Sequence, residues 1–355
     1  MANQKLIFTN SPAEAIDRYI NEINPPQIFV LTDSNTSRLV YPRIAEKSRH
    51  LKKACEITIG AGDVNKSLES LASIWSALGN NGGTRRSLMI NAGGGVITDI
   101  GGFAAATFKR GIRFINVPTT LLSAVDAAVG GKTGINFNGL KNEIGVFREA
   151  DAVIISTCYY DTLPQTELRS GYAEMLKHGL ISDRATFEEL LQFDIAEANA
   201  EPLLALLEKN VMVKKRIVEE DPLEHGLRRA LNLGHTPAHA FESWAMAKGK
   251  PVPHGYAVAW GLVVDLILSH MSLGFPSGDL HKVATFVERN YGPIGITCND
   301  YPQLLEYMRH DKKNASVNEI TFSLLEAPGK VKLGHTATPD EISVALDIFR
   351  DLMHI

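Results

Sequence analysis

Over the first 160 positions, short apolar runs of strand length alternate with segments whose apolar residues recur at helical spacing. Positions 5–8, 27–32 and 54–59 read as strands, and 13–23 and 35–48 between them have the length and spacing of helices. The alternation continues with a helix at 67–78, a strand at 87–91 and a helix that begins near Thr98. Further strands follow at 113–117 and 152–156, and Pro118 punctuates the first of them before a helical 119–129. Strands and helices in this order predict a largely parallel sheet. Beyond Pro164 the texture changes: 167–229 is long, leucine-rich and amphipathic, with almost no β-branched alternation. A boundary near residue 160 follows, with an all-α second domain beyond it.

Length supports the division. With 355 residues the chain is too long for one ordinary core and suits two domains, 1–160 and 161–355, with a cleft between them. Lys and Arg number 36 against 40 Asp and Glu, a formal charge of -4, which argues against a nucleic-acid partner. Any anion must then be bound locally. The three cysteines, Cys55, Cys158 and Cys298, are far apart and show no CxxC spacing, so neither a disulfide framework nor a thiolate metal site is indicated. A reducing, cytoplasmic setting fits. The start, MANQKLIFTN, lacks the form of an export signal, and the most apolar stretch, 257–269, is short and carries Asp265, so no membrane span is expected.

The densest chemistry lies at 90–147, where four glycine clusters separate short apolar runs. The strand at 87–91 leads into Gly93, Gly94 and Gly95 before a helix start. Bare backbone, free N–H groups and the positive end of a helix there suit a pyrophosphate. Thr98 stands where a dinucleotide fingerprint has its third glycine, so the pattern is GxGxxT, and a plain tight turn satisfies it equally well. The turn at 60–66, GAGDVNK, raises the same pair of readings. GGKTG at 130–134 resembles a phosphate-cradling loop, but its first glycine position is occupied by Asp126, whose charge would repel phosphate. Kinase or ATPase chemistry is disfavoured, while Lys132 and Lys141 stay candidates for anionic oxygens or for plain solvated lysines.

In the helical half, GYAEMLKHG at 171–179, LNLGHTPAHAFE at 231–242 and PHGYAVAWG at 253–261 carry possible metal ligands beside small residues. One carboxylate and two or three imidazoles can hold zinc with a position open to substrate oxygens. His235 and His239, four apart, share a face if their segment is helical, and spacing alone makes them the obvious chelating pair. Lys177 lies three residues after Glu174, and Lys214, Arg228 and Asn232 precede His235. Cations and an amide gathered beside a metal suit a phosphorylated polyol or hydroxy acid.

These motifs in order, with RGIRFINVPTTLLSAVDAAVGGKTGIN, Lys141–Asn142 and a late HDKK, resemble the 3-dehydroquinate synthase family of sugar-phosphate cyclases over nearly the whole chain. The resemblance implies an N-terminal Rossmann-like domain that binds NAD and a C-terminal helical domain that binds Zn2+, or Co2+, with substrate in the cleft. Motif by motif it assigns zinc to Glu174, His235 and His254, and turns His239 toward substrate as a proton-handling or phosphate-contacting group. It assigns NAD to Asp63 through Lys66, to Gly95, Val96, Ile97, Thr98 and Asp99, and to Thr119 and Thr120, with Lys132 and Lys141 near the junction. Substrate falls to Asp126, Lys132, Lys141, Asn142, Lys177, Lys214, Arg228, Asn232 and one of Lys312 and Lys313, with Arg110 reaching the phosphate. Two departures stand out: Thr98 replaces a glycine common in the family, and Tyr256 replaces a common glutamate.

The activity implied is a carbon–oxygen lyase of the shikimate route to chorismate and the aromatic amino acids. It converts 3-deoxy-D-arabino-heptulosonate 7-phosphate to 3-dehydroquinate and phosphate, with NAD regenerated in each turnover. A cytoplasmic homodimer without nucleic-acid or membrane partners goes with it. Three other readings compete: a sister cyclase for a different sugar phosphate, a metal- and NAD-dependent polyol dehydrogenase of the glycerol dehydrogenase type, and a non-enzymatic binding module. Net NADH accumulation would mark the dehydrogenase.

Overall fold

Parallel strands buried on both faces read as continuous apolar runs, and the first half of the chain is built from them. The structure, a computed structural model, describes residues 4–196, 200–309 and 320–355. Its contacts divide the chain into two units: Met1–Pro164 with Asn199–Val211, and Gln165–Ala198 with Met212–Ile355.

In the first unit the order is β1 (Lys5–Phe8), α1 (Pro12–Ile23), β2 (Ile28–Asp33), α2 (Thr36–Leu39), α3 (Tyr41–Lys47), β3 (Cys55–Ile59), α4 (Leu68–Asn80), β4 (Leu88–Gly93) and α5 (Gly95–Thr107). Then come β5 (Arg113–Pro118), the pair β6 (Lys132–Phe137) and β7 (Leu140–Phe147), and β8 (Ala152–Ile155). Six strands form one sheet in the order β1-β8-β5-β4-β2-β3, parallel at every pairing. β4 is buried at all its positions, and Ile90, Ile115 and Ile154 pack with Ile16 and Ile20 of α1 in one apolar cluster. The carboxyl ends of the strands therefore share an edge, where α/β sheets take their ligands.

Two sequence expectations change here. The helix expected at 35–48 is broken at Val40, where Pro42 starts a new helix, α3. Of the helix expected at 119–129, 123–127 is a wide turn in which the Ala128 N–H reaches back five residues to the Ser123 carbonyl at 2.9 Å. Turns of this kind recur at functional sites. The lysine-bearing stretch that follows, to which the sequence pattern assigns no element, is an antiparallel hairpin, β6 with β7.

The second unit contains α6 (Gln165–Ser182), α7 (Arg184–Gln192), the later part of α8 (Ala200–Glu220), α9 (His235–Ala247), α10 (His254–Leu273), α11 (Ser277–Tyr291) and α12 (Tyr301–Arg309). A hairpin of β9 (Ile320–Ala327) and β10 (Lys330–Ala337) and a last helix, α13 (Pro339–Leu352), complete it. The unit is helical as expected, but the hairpin corrects the expectation that it is all-α. β9 buries its side chains against α10, while β10 alternates half-buried and exposed positions as an edge.

α10 is long and apolar enough to cross a membrane, yet 72% of its most apolar window is buried in the unit, packed by α6, α9, α11, α13 and β9. Two of its glycines set how closely neighbours approach. A methyl group on Gly255 would stand 1.9 Å from the Ser170 carbonyl oxygen of α6, and one on Gly261 would stand 2.0 Å from the Gly234 carbonyl oxygen ahead of α9. Side chains at either place would push the helices apart. Gly261→Ala should lower stability by about 1–3 kcal/mol, the usual cost of overpacking, seen as a lower urea midpoint. An unchanged midpoint would mean that this contact is not tight.

Candidate active site

A buried carboxylate with no solvent needs compensating charge, and Glu174 of α6, 0% exposed, has it on two sides. Lys177, one turn along the same helix and 1% exposed, sets its ammonium against Oε2. His235 Nε2 lies 3.4 Å and His254 Nε2 3.5 Å from Oε1. The three potential ligand atoms fall within 4.8 Å of one another. Ligand atoms about 2.1 Å from a tetrahedral zinc ion are roughly 3.4 Å apart, so the two measured spacings suit such an ion. Beyond these ion-pair contacts, neither oxygen of Glu174 has a hydrogen bond of sound geometry among the described residues, which leaves lone pairs available.

The second nitrogens support the same reading. His235 Nδ1–H can donate to the Leu233 carbonyl at 3.1 Å, and His254 Nδ1–H to Glu242 Oε2 at 3.3 Å. Each bond fixes the tautomer that offers Nε2 to a metal. Glu242 was part of a quoted motif but had no role assigned from sequence; its distance to His254, 12 residues on, hides the partnership. Ser170 was missed as well. Its hydroxyl accepts the Gly255 N–H at 3.0 Å and ties the start of α10 to α6 one turn before Glu174.

His239 is exposed and stands beside this set, its ring centroid 5.7 Å from His235 and 6.5 Å from His254, but it is not among the three clustered ligands. The spacing-based pair of His235 and His239 is thus not the grouping that folding produces. Lys214 and Arg228 are buried, Arg228 donating to the Pro222 carbonyl at 2.7 Å, and Asn232 donates to Glu224 Oε1 at 3.1 Å. Tyr256, one of the departures, packs edge-on to Trp260 and Tyr291. Lys312 and Lys313 lie outside the described residues.

Charge in the cluster is unevenly held. Burial alone would raise the Glu174 carboxyl, but Lys177 first and His235 next keep it well below the usual carboxylate value. Burial and the Lys177 charge push His235 down to about 4. Burial also opposes a charged His254, yet its bonds to Glu174 and Glu242 raise it to about 10.

In the first unit the glycine turn, Thr119 and Thr120 meet at neighbouring strand ends. The Thr119 N–H donates to the Gly93 carbonyl at 3.0 Å, and Thr120 Cγ2 lies 3.3 Å from where a methyl on Gly94 would be. α5 starts at Gly95 without a side-chain cap, so the N–H groups of Gly95, Val96 and Ile97 face outward from the helix end. Thr98 is buried and donates its hydroxyl to the Gly95 carbonyl at 3.1 Å, which folds it into the helix instead of across the turn.

Lys66, also buried, bonds Asp99 Oδ2 at 2.5 Å and touches Asn142 Oδ1. Asn136 completes the network, donating to Asp63 Oδ2 at 3.1 Å and accepting the Asn142 N–H at 3.0 Å. Asp63, Lys66, Asp99 and Asn142 are therefore joined in one place, and Asn136 is a member that sequence reasoning missed. Asp126 is half-buried in the wide turn, and Lys132 and Lys141 are exposed on β6 and β7. Arg110 is exposed in the turn after α5, its backbone in the left-handed region at φ 68°.

A family profile described as 3-dehydroquinate synthase N-terminal matches residues 56–170, and one described as 3-dehydroquinate synthase C-terminal matches 171–314. A 3-dehydroquinate synthase of Parabacteroides distasonis is 46% identical over 351 residues, covering 99% of both chains. The chain belongs to the 3-dehydroquinate synthase family. Among solved structures, a 2-deoxy-scyllo-inosose synthase complexed with carbaglucose-6-phosphate, NAD+ and Co2+ superposes with a TM-score of 0.83 at 22% identity, over 98% of this chain and 96% of that one. A 2-epi-5-epi-valiolone synthase from Streptomyces hygroscopicus with NAD+ and Zn2+ bound gives 0.80 at 23% identity, over 99% and 98%. These two show that the fold is shared with cyclases beyond the 3-dehydroquinate synthases.

Two outcomes are expected from the cluster. His235→Ala should abolish stoichiometric zinc binding while His239→Ala keeps it; equal loss in both, by metal analysis of purified protein, would overturn the division of roles. His254, raised to about 10, is protonated at neutral pH while His235 is not, so zinc should displace one proton at pH 7. Calorimetry in buffers of different ionisation enthalpy measures that proton, and affinity should climb as the pH rises toward about 10. In the metal-free protein the sign is opposite: the His254 contacts stabilise fully below pH 6.5 and lose that contribution as the pH rises through about 10.

Proposed function

We propose that the chain converts 3-deoxy-D-arabino-heptulosonate 7-phosphate to 3-dehydroquinate and phosphate, with NAD held by the first unit and Zn2+ by the second. The observation that carries this is the set of buried Glu174 with half-buried His235 and His254, spaced as ligands, in a chain of this family. When bound, NAD supplies a reversible hydride acceptor and zinc a Lewis acid that acidifies substrate hydroxyls.

The chain's own groups do the rest. Glu242 orients the His254 ring, and Lys177 balances the Glu174 charge while offering its remaining N–H bonds to a substrate oxygen. Lys214, Arg228 and Asn232 supply cationic and amide donors of the kind that hold a carboxylate or hydroxyls. His239, exposed beside the ligands, can take a proton from substrate and return it. In the first unit the uncapped start of α5, with Thr119 and Thr120, suits the cofactor's pyrophosphate, and the Lys66 network sets the shape of the cofactor's surroundings. Asp126, Lys132, Lys141, Asn142 and Arg110 are assigned to the substrate, Arg110 to its phosphate.

The three cysteines are free, in keeping with a reducing cytoplasm. A homodimer is the assembly that the family resemblance implies, and light scattering of the purified protein checks it.

Zinc-loaded protein given the heptulosonate phosphate and substoichiometric NAD should release phosphate and form 3-dehydroquinate without accumulating NADH. No phosphate release would overturn the proposal, and net NADH would turn it toward a polyol dehydrogenase.

A further inference from the structure

A carboxylate in the middle of a buried apolar helix is costly unless something specific holds it there. Asp265 of α10 is 1% exposed, and its Oδ2 accepts the Gly234 N–H at 2.6 Å. Gly234 is the residue immediately before His235, and it precedes α9 with a left-handed backbone, φ 78°, and no side-chain cap. The turn that aims the imidazole is thus built on a conformation with little intrinsic preference, and something outside α9 must fix it. The Gly234 carbonyl seats against Gly261, one helical turn before Asp265, so the same face of α10 meets both backbone polar atoms of this residue.

His254, Gly261 and Asp265 follow one another at seven and four residues, a spacing that keeps them on one side of the helix. α10 therefore carries one candidate ligand itself and grips the backbone next to another. We propose that Asp265 is a positioning residue for His235, clamping the Gly234 amide so that the imidazole nitrogen is held toward Glu174. This rests on reading Glu174, His235 and His254 as a metal site. It gives a use to the one charge that interrupts the apolar run of α10.

The test is zinc affinity by chelator competition in Asp265→Leu and Asp265→Asn, with NAD affinity, a property assigned to the other unit, as the control. Leucine keeps the branched outline, with methyls somewhat larger than the oxygens they replace, and suits the apolar helix but removes the acceptor. It should weaken zinc about 10–100-fold, as loss of outer-shell support does, with NAD binding unchanged. Asparagine keeps an acceptor oxygen and should stay within about threefold of the parent, the cost of exchanging a charged for a neutral acceptor. Parent-like zinc affinity in the leucine variant, or equal loss in both, overturns the clamp. Should the leucine variant fail to fold, Asp265→Glu decides, since it keeps the charge and displaces the acceptor by one methylene: weaker zinc supports the clamp and unchanged zinc overturns it. A parent protein that binds no zinc, or an unaltered affinity in His235→Ala, would instead refute the metal reading itself.

Discussion

Three helices reach Glu174 only because α10 lets two neighbours approach at backbone distance. Gly255 sits against Ser170 on α6 and Gly261 against Gly234 at the head of α9, so that one helix sets the spacing of both neighbours. Each contact lies within a turn or two of a candidate ligand: Glu174 follows Ser170 by one turn, His235 follows Gly234 directly, and His254 precedes Gly255. Protein interiors are packed densely enough that such approaches leave little slack, and the ligand spacing inherits that stiffness.

The electrostatics depend on the same closeness. An ionised, fully buried Glu174 is tolerable because Lys177 and two imidazoles crowd it, and the cluster sets one histidine neutral and the other charged. This is an arrangement poised for a divalent ion, which would replace the proton on His254 and balance the carboxylate directly. Lys214 and Arg228 add buried positive charge to a unit of a chain whose overall charge is -4, so anion attraction is local.

The first unit solves a different problem. Its parallel strands end together, and the bonds from Thr119 to Gly93 and from Lys66 to Asp99 and Asn142 tie four separate stretches of chain to one another near that edge. Lys66 and Asp99 are 33 residues apart and Lys66 and Asn142 76, so the network exists only after the sheet has formed. The hairpin of β6 and β7, which bears Lys132, Lys141 and Asn142, belongs to this assembly: its Asn138–Gly139 turn, both residues in the left-handed region at φ 50° and 78°, is a local hairpin signal, and Asn136 then joins the hairpin to Asp63 and Lys66.

Local pattern determined a good deal: the succession of the six sheet strands and most of the helices between them up to residue 156, the glycine turn before α5, the change to helices after Pro164, and the motifs that place the chain in its family. These are legible because periodicity and turn chemistry act over a few residues. The hairpin at 320–337 also had a local signal, the Pro328–Gly329 turn beside an alternating strand, which the prevailing helical texture masked. What the tertiary structure alone decided is partnership across distance. It set His235 with Glu174 and His254 while leaving His239 beside them, though His235 and His239 share a helix. It also gave Glu242, Ser170 and Asp265 their partners. Sequence spacing sorts side chains onto the faces of one helix; which face meets which is settled by the packing of several helices at once, and that depends on contacts such as Gly261 against Gly234 that no single stretch contains.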